Sequence, residues 1–353
     1  MKKSISKILG TAAVLTAAAV MLAGCAKKEA AQGGAEAAAP KKVEKKVIKV
    51  TTKFVDNEQT AKSLVKFVEG VNSRSNGSLD LQLFTGGTFP YGKDGMELIV
   101  NGGDVIQCDG INFIADYVPD YDAVTGPFLY RSFDEYMAMT KTKLIQDLNE
   151  QALQKGIRVM SLDWVFGFRS MMTNKVIKTP ADMKGLKIRV PTSAVYTYTL
   201  EAMGASPIGM PYPDTYSAIQ QGVIDGVEGS ILTYWGTKQY ENVHKYSLTR
   251  HILGVSAVCI SEKCWQSLTS EQQQIITEEL AKATKDNLDE TNKLESEYAD
   301  DLQKNLGVEF NEVDADAFEK AAAVVYTKFP KWTPGIYDKI QAELATIRAN
   351  LKK

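Results

Sequence analysis

The chain reads as an α/β protein with mostly parallel sheets. Two observations predict this. From Val47 onward, short stretches of period-two alternation take turns with amphipathic helical stretches. The composition, 44% hydrophobic and 24% charged over 353 residues, suits a soluble protein large enough for two domains with cores of their own.

The elements follow in order. "VIKVTTKF" is a strand. "TAKSLVKFVEGV" places Ala61, Leu64, Val65, Val68 and Val71 on one helical face. "SLDLQLF" alternates as a strand, and "VIQCDG" is another, followed by "INFIADYVPDY". Lys141 to Lys155 reads as a helix, and "IRVMSLDW" as the strand after it. "RSMMTNK" and "GLKIRV" come next, then a helix from Ala194 to Met203 and the strand "GVIDGVEG". Thr269 to Leu302 is a long amphipathic helix, opened by "TSEQ" in the capping-box pattern. No internal repeat is visible.

The N-terminus stands apart from this series. Lys2, Lys3 and Lys7 precede an uncharged run from Ile8 to Gly24, short for a membrane span. "LAGC" then resembles a bacterial lipoprotein cleavage site, with Cys25 as the lipidated first residue. Residues 1–24 are thus expected to be a leader, and 25–46, rich in Ala, Gly, Lys and Glu, a flexible tether. A lipid and a tether place the folded part just outside a membrane, in the periplasm.

Several function classes fall away. The formal net charge is -2 and the basic residues are interleaved with acids, so no nucleic-acid patch forms. The two histidines, His244 and His251, have no cysteine or carboxylate at a ligand spacing, which predicts no metal site. "GTFPYGKD" approaches a phosphate-binding loop, but Asp94 stands where Ser or Thr must follow the lysine. "GASPIG" lacks the spacing of a nucleophile elbow. With no nucleophile–base pair, the chain is expected not to be an enzyme. Cys108 and Cys259 sit in apolar stretches and read as buried small hydrophobes. The spacing of Cys259 and Cys264 leaves a disulfide between them open.

Arg189 is the residue with the most to say. Pro191 ends its strand, so the guanidinium stands at the carboxyl end, where ligands of open α/β sheets bind. A helix starts at once, with Thr192 or Ser193 to cap it. Guanidinium is a planar fork that matches a carboxylate. The alternative is a solvated arginine on a polar strand face.

The pieces "GFR…TNK", "TPADMKGLKIRVP", "MGASP", "DTYSAIQQGVIDGVE" and "LTRH" occur in this order between Phe166 and His251. Together they resemble the DctP-type solute-binding proteins of tripartite ATP-independent periplasmic (TRAP) transporters. The resemblance runs from about Val47 and is densest between Arg158 and Gly229. It implies a periplasmic-binding-protein type II-like fold, with two α/β lobes, a ligand cleft between them and a long helix crossing both. Lobe I is then 47–166 with 255–294, and lobe II 167–254 with 295–353. It assigns Arg189 to the ligand carboxylate, Arg169 to its support and Tyr212 to packing on the ligand. Lys53 and Asp109 fall where lobe I contacts arise, and both also stand at strand ends. Trp164 is placed at the pocket.

One departure stands out. Many relatives carry Asn-Pro after the "DG-x-E" strand, and here Gly229 and Ser230 stand there. One carboxylate contact is therefore lost, moved to Ser230, or replaced by backbone or water. Asp225 and Glu228 read as fold-holding residues at the cleft wall. The expected activity is capture of an organic acid by lobe closure, with the acid a C4-dicarboxylate, a sugar acid or a 2-oxo acid. No cofactor is expected. The resemblance implies TRAP membrane subunits as partners, and a monomer is expected. A binding protein for an ABC importer, or for a membrane sensor of organic acids, is the alternative.

Overall fold

The computed structural model describes residues 45–352. The leader, Cys25 and the expected tether up to residue 44 lie outside them. The strands are β1 (Lys46–Thr52), β2 (Leu79–Phe84), β3 (Val105–Gly110), β4 (Ile157–Thr173), β5 (Lys187–Val190), β6 (Ser206–Gly209), β7 (Gly226–Gly229), β8 (Lys245–Ser261) and β9 (Glu309–Asn311). They form one sheet in the order β2-β1-β3-β8-β4-β7-β5-β6, with β9 beside β8. β2, β1 and β3 are parallel and make one flank, lobe I; β7, β5 and β6 are parallel and make the other, lobe II. β4 and β8, 17 residues each, pair antiparallel and run through both lobes.

Helices cover both faces of the sheet. In lobe I, Ile48, Val50, Ile106 and Ile260 pack against Leu64, Phe67 and Val71 of the helix Gln59–Arg74 and against Ile276 and Leu280 of the long helix. The helical face differs from expectation at one place. Val65 is 41% exposed, and Phe67 takes its place in the core. In lobe II, Ile188 and Val190 of β5 pack against Val195, Leu200 and Met203 of the following helix.

The long helix runs from Ser270 to Lys304, 35 residues or roughly 50 Å. Thr269 and Gln272 form the expected capping box. Its first half packs in the lobe I core, and Leu302 packs in a lobe II core with Val308 and Tyr246. At its middle, Asn287 Nδ2 and Thr291 Oγ1 both donate to the Val165 carbonyl, at 2.9 and 3.2 Å. The β4–β8 register shifts between Val165 and Gly167, so the helix supplies the partners that the ladder cannot. Gly167 has φ +104°, and a Cβ there would stand 3.1 Å from Ser230 Cβ. Only glycine suits that bend.

The chain's last segment corrects the expected division. Residues 295–353 were assigned to lobe II, but Ile336, Ile340, Leu344 and Ile347 of the final helix pack with Leu129, Tyr136 and Ile145 of lobe I. Arg348 adds two hydrogen bonds to Glu135. An apolar stripe at helical spacing had to be buried somewhere, and the exposed face it found is on lobe I. The Cys259–Cys264 disulfide left open does not form; both thiols are free and buried.

Orphaning the buried Val165 carbonyl should cost stability without changing the fold. The double variant Asn287→Ala/Thr291→Val is expected to lose about 1–3 kcal/mol, more than either single change, measured by urea unfolding with circular dichroism.

Candidate functional site

The cleft lies where strand ends of the two lobes meet. It is a half-open cavity of about 310 Å³, lined by Lys53, Tyr91 and Phe113 from lobe I and by Arg189, Thr192 and Tyr212 from lobe II. A larger groove of about 570 Å³ lies elsewhere, between β4 and the long helix beside Trp265. Its one arginine, Arg158, is already held by both oxygens of Glu262, so it offers no open charge.

Arg189 is not on a wet face. Its neighbours Ile188 and Val190 point into the lobe II core, and Arg189, on the other face, is only 4% exposed. Nε and Nη2 both donate to the Met210 carbonyl, at 3.0 and 2.7 Å. The guanidinium carbon lies 5.5 Å from the centre of the Tyr212 ring. Among the described residues, no carboxylate lies within salt-bridge distance of Arg189. Burial therefore pushes its pKa down to about 10, with nearby Arg169 adding to the drop and Glu228 opposing it. Ser193 stands at the start of the next helix but makes no side-chain cap.

Arg169, in β4, is in the opposite condition. Its Nε donates to Glu228 Oε2 at 2.5 Å, and its Nη2 donates to Oε1 of the same carboxylate. Burial would raise the Glu228 pKa, but Arg169 and His251 outweigh it and bring it down to about 2. His251 Nε2 approaches Glu228 at 3.4 Å, while Nδ1 shares a 2.9 Å hydrogen bond with Thr249. Burial lowers the His251 pKa, against the pull of Glu228. Glu228 is thus the anchor of the arginine beside the cleft. Asp225, at the far end of the same segment, accepts from the Lys187 N–H at 2.7 Å.

From lobe I, the Lys53 ammonium lies 2.9 Å from Asp109 Oδ1. Three rings surround it, Phe54, Phe166 and Tyr212, at 4.9, 5.6 and 5.9 Å. Asp109 also accepts from the Gly110 N–H at 2.7 Å. The lobes touch across the cleft mouth: the Tyr212 hydroxyl donates to Glu58 Oε1 at 2.8 Å. Glu58 Oε2 accepts from the Val55 N–H at 2.8 Å. Glu58 is almost wholly buried, and burial raises its pKa to about 7 against the pull of these two hydrogen bonds and Lys53.

The structure thus brings Arg189, Arg169, Tyr212, Lys53 and Asp109 together. It does not bring Trp164 to them. Trp164 is fully buried and packs in the lobe I core, because its indole falls on the face of β4 opposite the cleft. Ser230 caps the short helix Ile231–Gly236 by accepting from the Thr233 N–H at 3.3 Å. Gly229 leaves its side-chain position to Thr233, whose hydroxyl stands 2.8 Å from where a Cβ would be. Sequence reading missed Tyr91, which lines the cleft, and Glu58, which holds the Tyr212 hydroxyl. Glu58 stands at the N-cap of the helix Gln59–Arg74 but makes no side-chain cap there, so no local signal marks it. Among the described residues, no three His, Cys, Asp or Glu side chains gather as a metal site.

Comparison with known proteins follows this geometry. Residues 51–331 match the profile described as bacterial extracellular solute-binding protein, family 7 (DctP). A TRAP periplasmic solute binding protein from Fusobacterium nucleatum, solved with sn-glycerol 3-phosphate, is 69% identical; the match covers 87% of this chain and 100% of that one, with a TM-score of 0.86. One from Desulfovibrio salexigens, solved with diglycerolphosphate, is 41% identical over 88% of this chain and 100% of its own, with a TM-score of 0.85. One from Actinobacillus succinogenes, solved with L-galactonate, is 29% identical over 85% of this chain and 99% of its own, with a TM-score of 0.81.

The buried Glu58 makes stability depend on pH. A carboxyl raised from 4.5 to about 7 stabilises the fold fully below 4.5, and that contribution is lost as pH rises through about 7. The melting temperature should therefore fall between pH 5 and pH 8. Glu58→Gln, which keeps the shape without the charge, should flatten that slope and be more stable than the parent at pH 8 by roughly 2–3 kcal/mol. Thermal unfolding across this range reads both.

Proposed function

Because the chain belongs to family 7 of the bacterial extracellular solute-binding proteins, the DctP family, we propose that its own solute is a phosphate ester of glycerol. The protein is an extracytoplasmic solute-binding protein that captures an organic acid for TRAP membrane subunits. Within that class, the observation that carries the reading is Arg189. It is a buried cation with no acid beside it, at the carboxyl end of β5. Such a group is stabilised by an anion that shares its water-poor site.

The charge around it favours a strongly ionised head. Arg169 is neutralised by Glu228 and Lys53 by Asp109; Arg189 is the buried cation of the cleft without an acid beside it, and the exposed Lys93, also in the lining, lies 3.6 Å from Asp116. The Met210 carbonyl occupies one edge of the Arg189 fork and leaves the other edge for two oxygens. A phosphate ester supplies those two oxygens. The solute bound to the 69% identical relative is of this kind.

Capture proceeds by closure. The anion binds the lobe II arginine, and the polar remainder meets lobe I near Lys53 and Asp109. Only a solute that touches both walls favours the closed form over the open one. The Tyr212–Glu58 hydrogen bond then closes the mouth over it. We assign residues 1–24 to a leader and Cys25 to the lipid anchor, on the basic start, the apolar run and "LAGC". The working unit is a monomer held outside the cytoplasmic membrane.

sn-Glycerol 3-phosphate at about 100 times its dissociation constant should add roughly 2.7 kcal/mol of stability, seen as a thermal shift. Arg189→Ala should remain folded and weaken binding by about 100-fold or more, since it removes a buried charge-assisted contact. A larger shift with L-galactonate than with the phosphate ester would replace this reading with a sugar-acid carboxylate. A shift that survives in Arg189→Ala would overturn the role of Arg189.

A further inference from the structure

Glu58 is a buried acid at a contact between the two lobes, and it does not line the cleft cavity. It is only 3% exposed, and what covers it comes from both sides. From lobe I, the Val55 N–H donates to Oε2 at 2.8 Å. From lobe II, the Tyr212 hydroxyl donates to Oε1 at 2.8 Å. The short helix Ile231–Gly236, also of lobe II, lies against the stem of the side chain. A Cβ on Gly236 would stand 2.6 Å from Glu58 Cγ and 3.4 Å from its Cα. Two of these three covers leave when the lobes part, and water takes their place.

The groups around Glu58 do little to keep it ionised. Lys53, the cation that bears on it, is already paired with Asp109 at 2.9 Å. The Tyr212 phenol stays protonated, raised well above its ordinary value by burial and by Glu58, against Arg189 and Arg169. Asp214, on the turn that carries Tyr212, is exposed. On the lobe II helix, Tyr234 donates to the Val243 carbonyl, and Lys238 just beyond it is exposed. Around the start of the lobe I helix, Asp56 accepts from Thr85, Lys62 is exposed and Lys66 pairs with Asp286. Burial, opposed by the two hydrogen bonds and by Lys53, therefore lifts the carboxyl to about 7. With the lobe II covers gone, it returns to the ordinary carboxyl range. A protonated Glu58 keeps the contact, because its O–H donates to the Tyr212 oxygen where a carboxylate would accept from it.

We infer that closure over the solute takes up a proton at Glu58, so that this protein binds solute and proton together. The inference rests on the reading that capture is lobe closure. The O–H bond forms on Oε1 with a proton from the medium, and opening returns that proton to water. The fall of stability with rising pH belongs to this closed form. Acid favours capture, and alkali favours release.

The test is calorimetric titration of the purified protein with sn-glycerol 3-phosphate between pH 6 and pH 8, in buffers of different ionisation heats, for the parent and Glu58→Gln. Glutamine keeps both hydrogen-bond partners without a titrating group. Comparing the two proteins cancels the ionisation of the solute itself. The ratio of parental to variant affinity should fall by about tenfold from pH 6 to pH 8. At pH 7 the parent should take up about half a proton more per solute than the variant. A ratio that stays flat overturns the inference even where stability still depends on pH, since Glu58 is then buried in the open form as well. Gly236→Ala puts a Cβ against Glu58 in the closed form alone. It should fold normally and bind about tenfold more weakly or worse; unchanged affinity overturns the lobe II cover. If the phosphate ester does not bind, the phosphate assignment fails, and the same comparison is made with L-galactonate, whose carboxylate is ionised throughout. If neither solute binds, small-angle X-ray scattering of the ligand-free protein decides. Expansion from pH 6 to pH 8 that Glu58→Gln lacks supports proton-linked closure, and equal dimensions at both pH values overturn it.

Discussion

A guanidinium taken out of water without an acid beside it governs the cleft. Arg189 could have been neutralised, as Arg169 is by Glu228. Instead a backbone carbonyl, which carries no net charge, takes one edge of its fork. The resulting deficit is tolerable only because everything nearby is fixed. Pro191 ends the strand at the right residue, Ile188 and Val190 anchor it in the core, and the Tyr212 ring covers the guanidinium face. Glu228 matters for the same reason. Two unpaired arginines this near each other would repel, so the paired one has to be held by a carboxylate that stays ionised far below neutral pH.

The functional consequence is an asymmetric cleft. One wall holds a buried guanidinium without an acid beside it, and the other a lysine already paired with Asp109. A solute that reaches from one wall to the other meets both at once. Neither end alone gives the closed form its advantage, because a ligand that touches one lobe has the same contacts in the open and closed states. The contact between Tyr212 and Glu58 adds to closure without touching the solute, and its strength depends on whether Glu58 carries a proton.

How much of this could be read from the sequence follows from where the information sits. Arg189, Lys53 and Asp109 were legible because each ends a short strand, and strand ends are marked by local alternation and by Pro or Gly. Trp164 was misplaced because β4 continues nine residues beyond it, to Thr173, and its register slips several times, so the face of any one side chain cannot be counted from a strand end. β8 offers no alternation to read. It is buried on both faces, and from Ile252 to Ile260 its sequence is a nearly unbroken apolar run with no period to detect. Glu58 was missed for a different reason. It sits at a helix start, and only the packing of distant segments brings it to Tyr212. The last helix shows the same limit, since its apolar stripe announces that it will be buried but not against which lobe.

The two long strands have a consequence for the molecule's history and for its engineering. Lobe I and lobe II are not beads joined by a linker. β4 and β8 are rungs of both, and the final helix returns to the first lobe after the chain has built the second. A lobe cut out at the crossing would keep half of each shared strand and expose the torn edges of β3 and β7. Exchanging a lobe with that of a relative would mean matching every register shift along the shared strands. Change of solute in a molecule of this kind is therefore confined to side chains on the two walls. The frame itself is inherited whole.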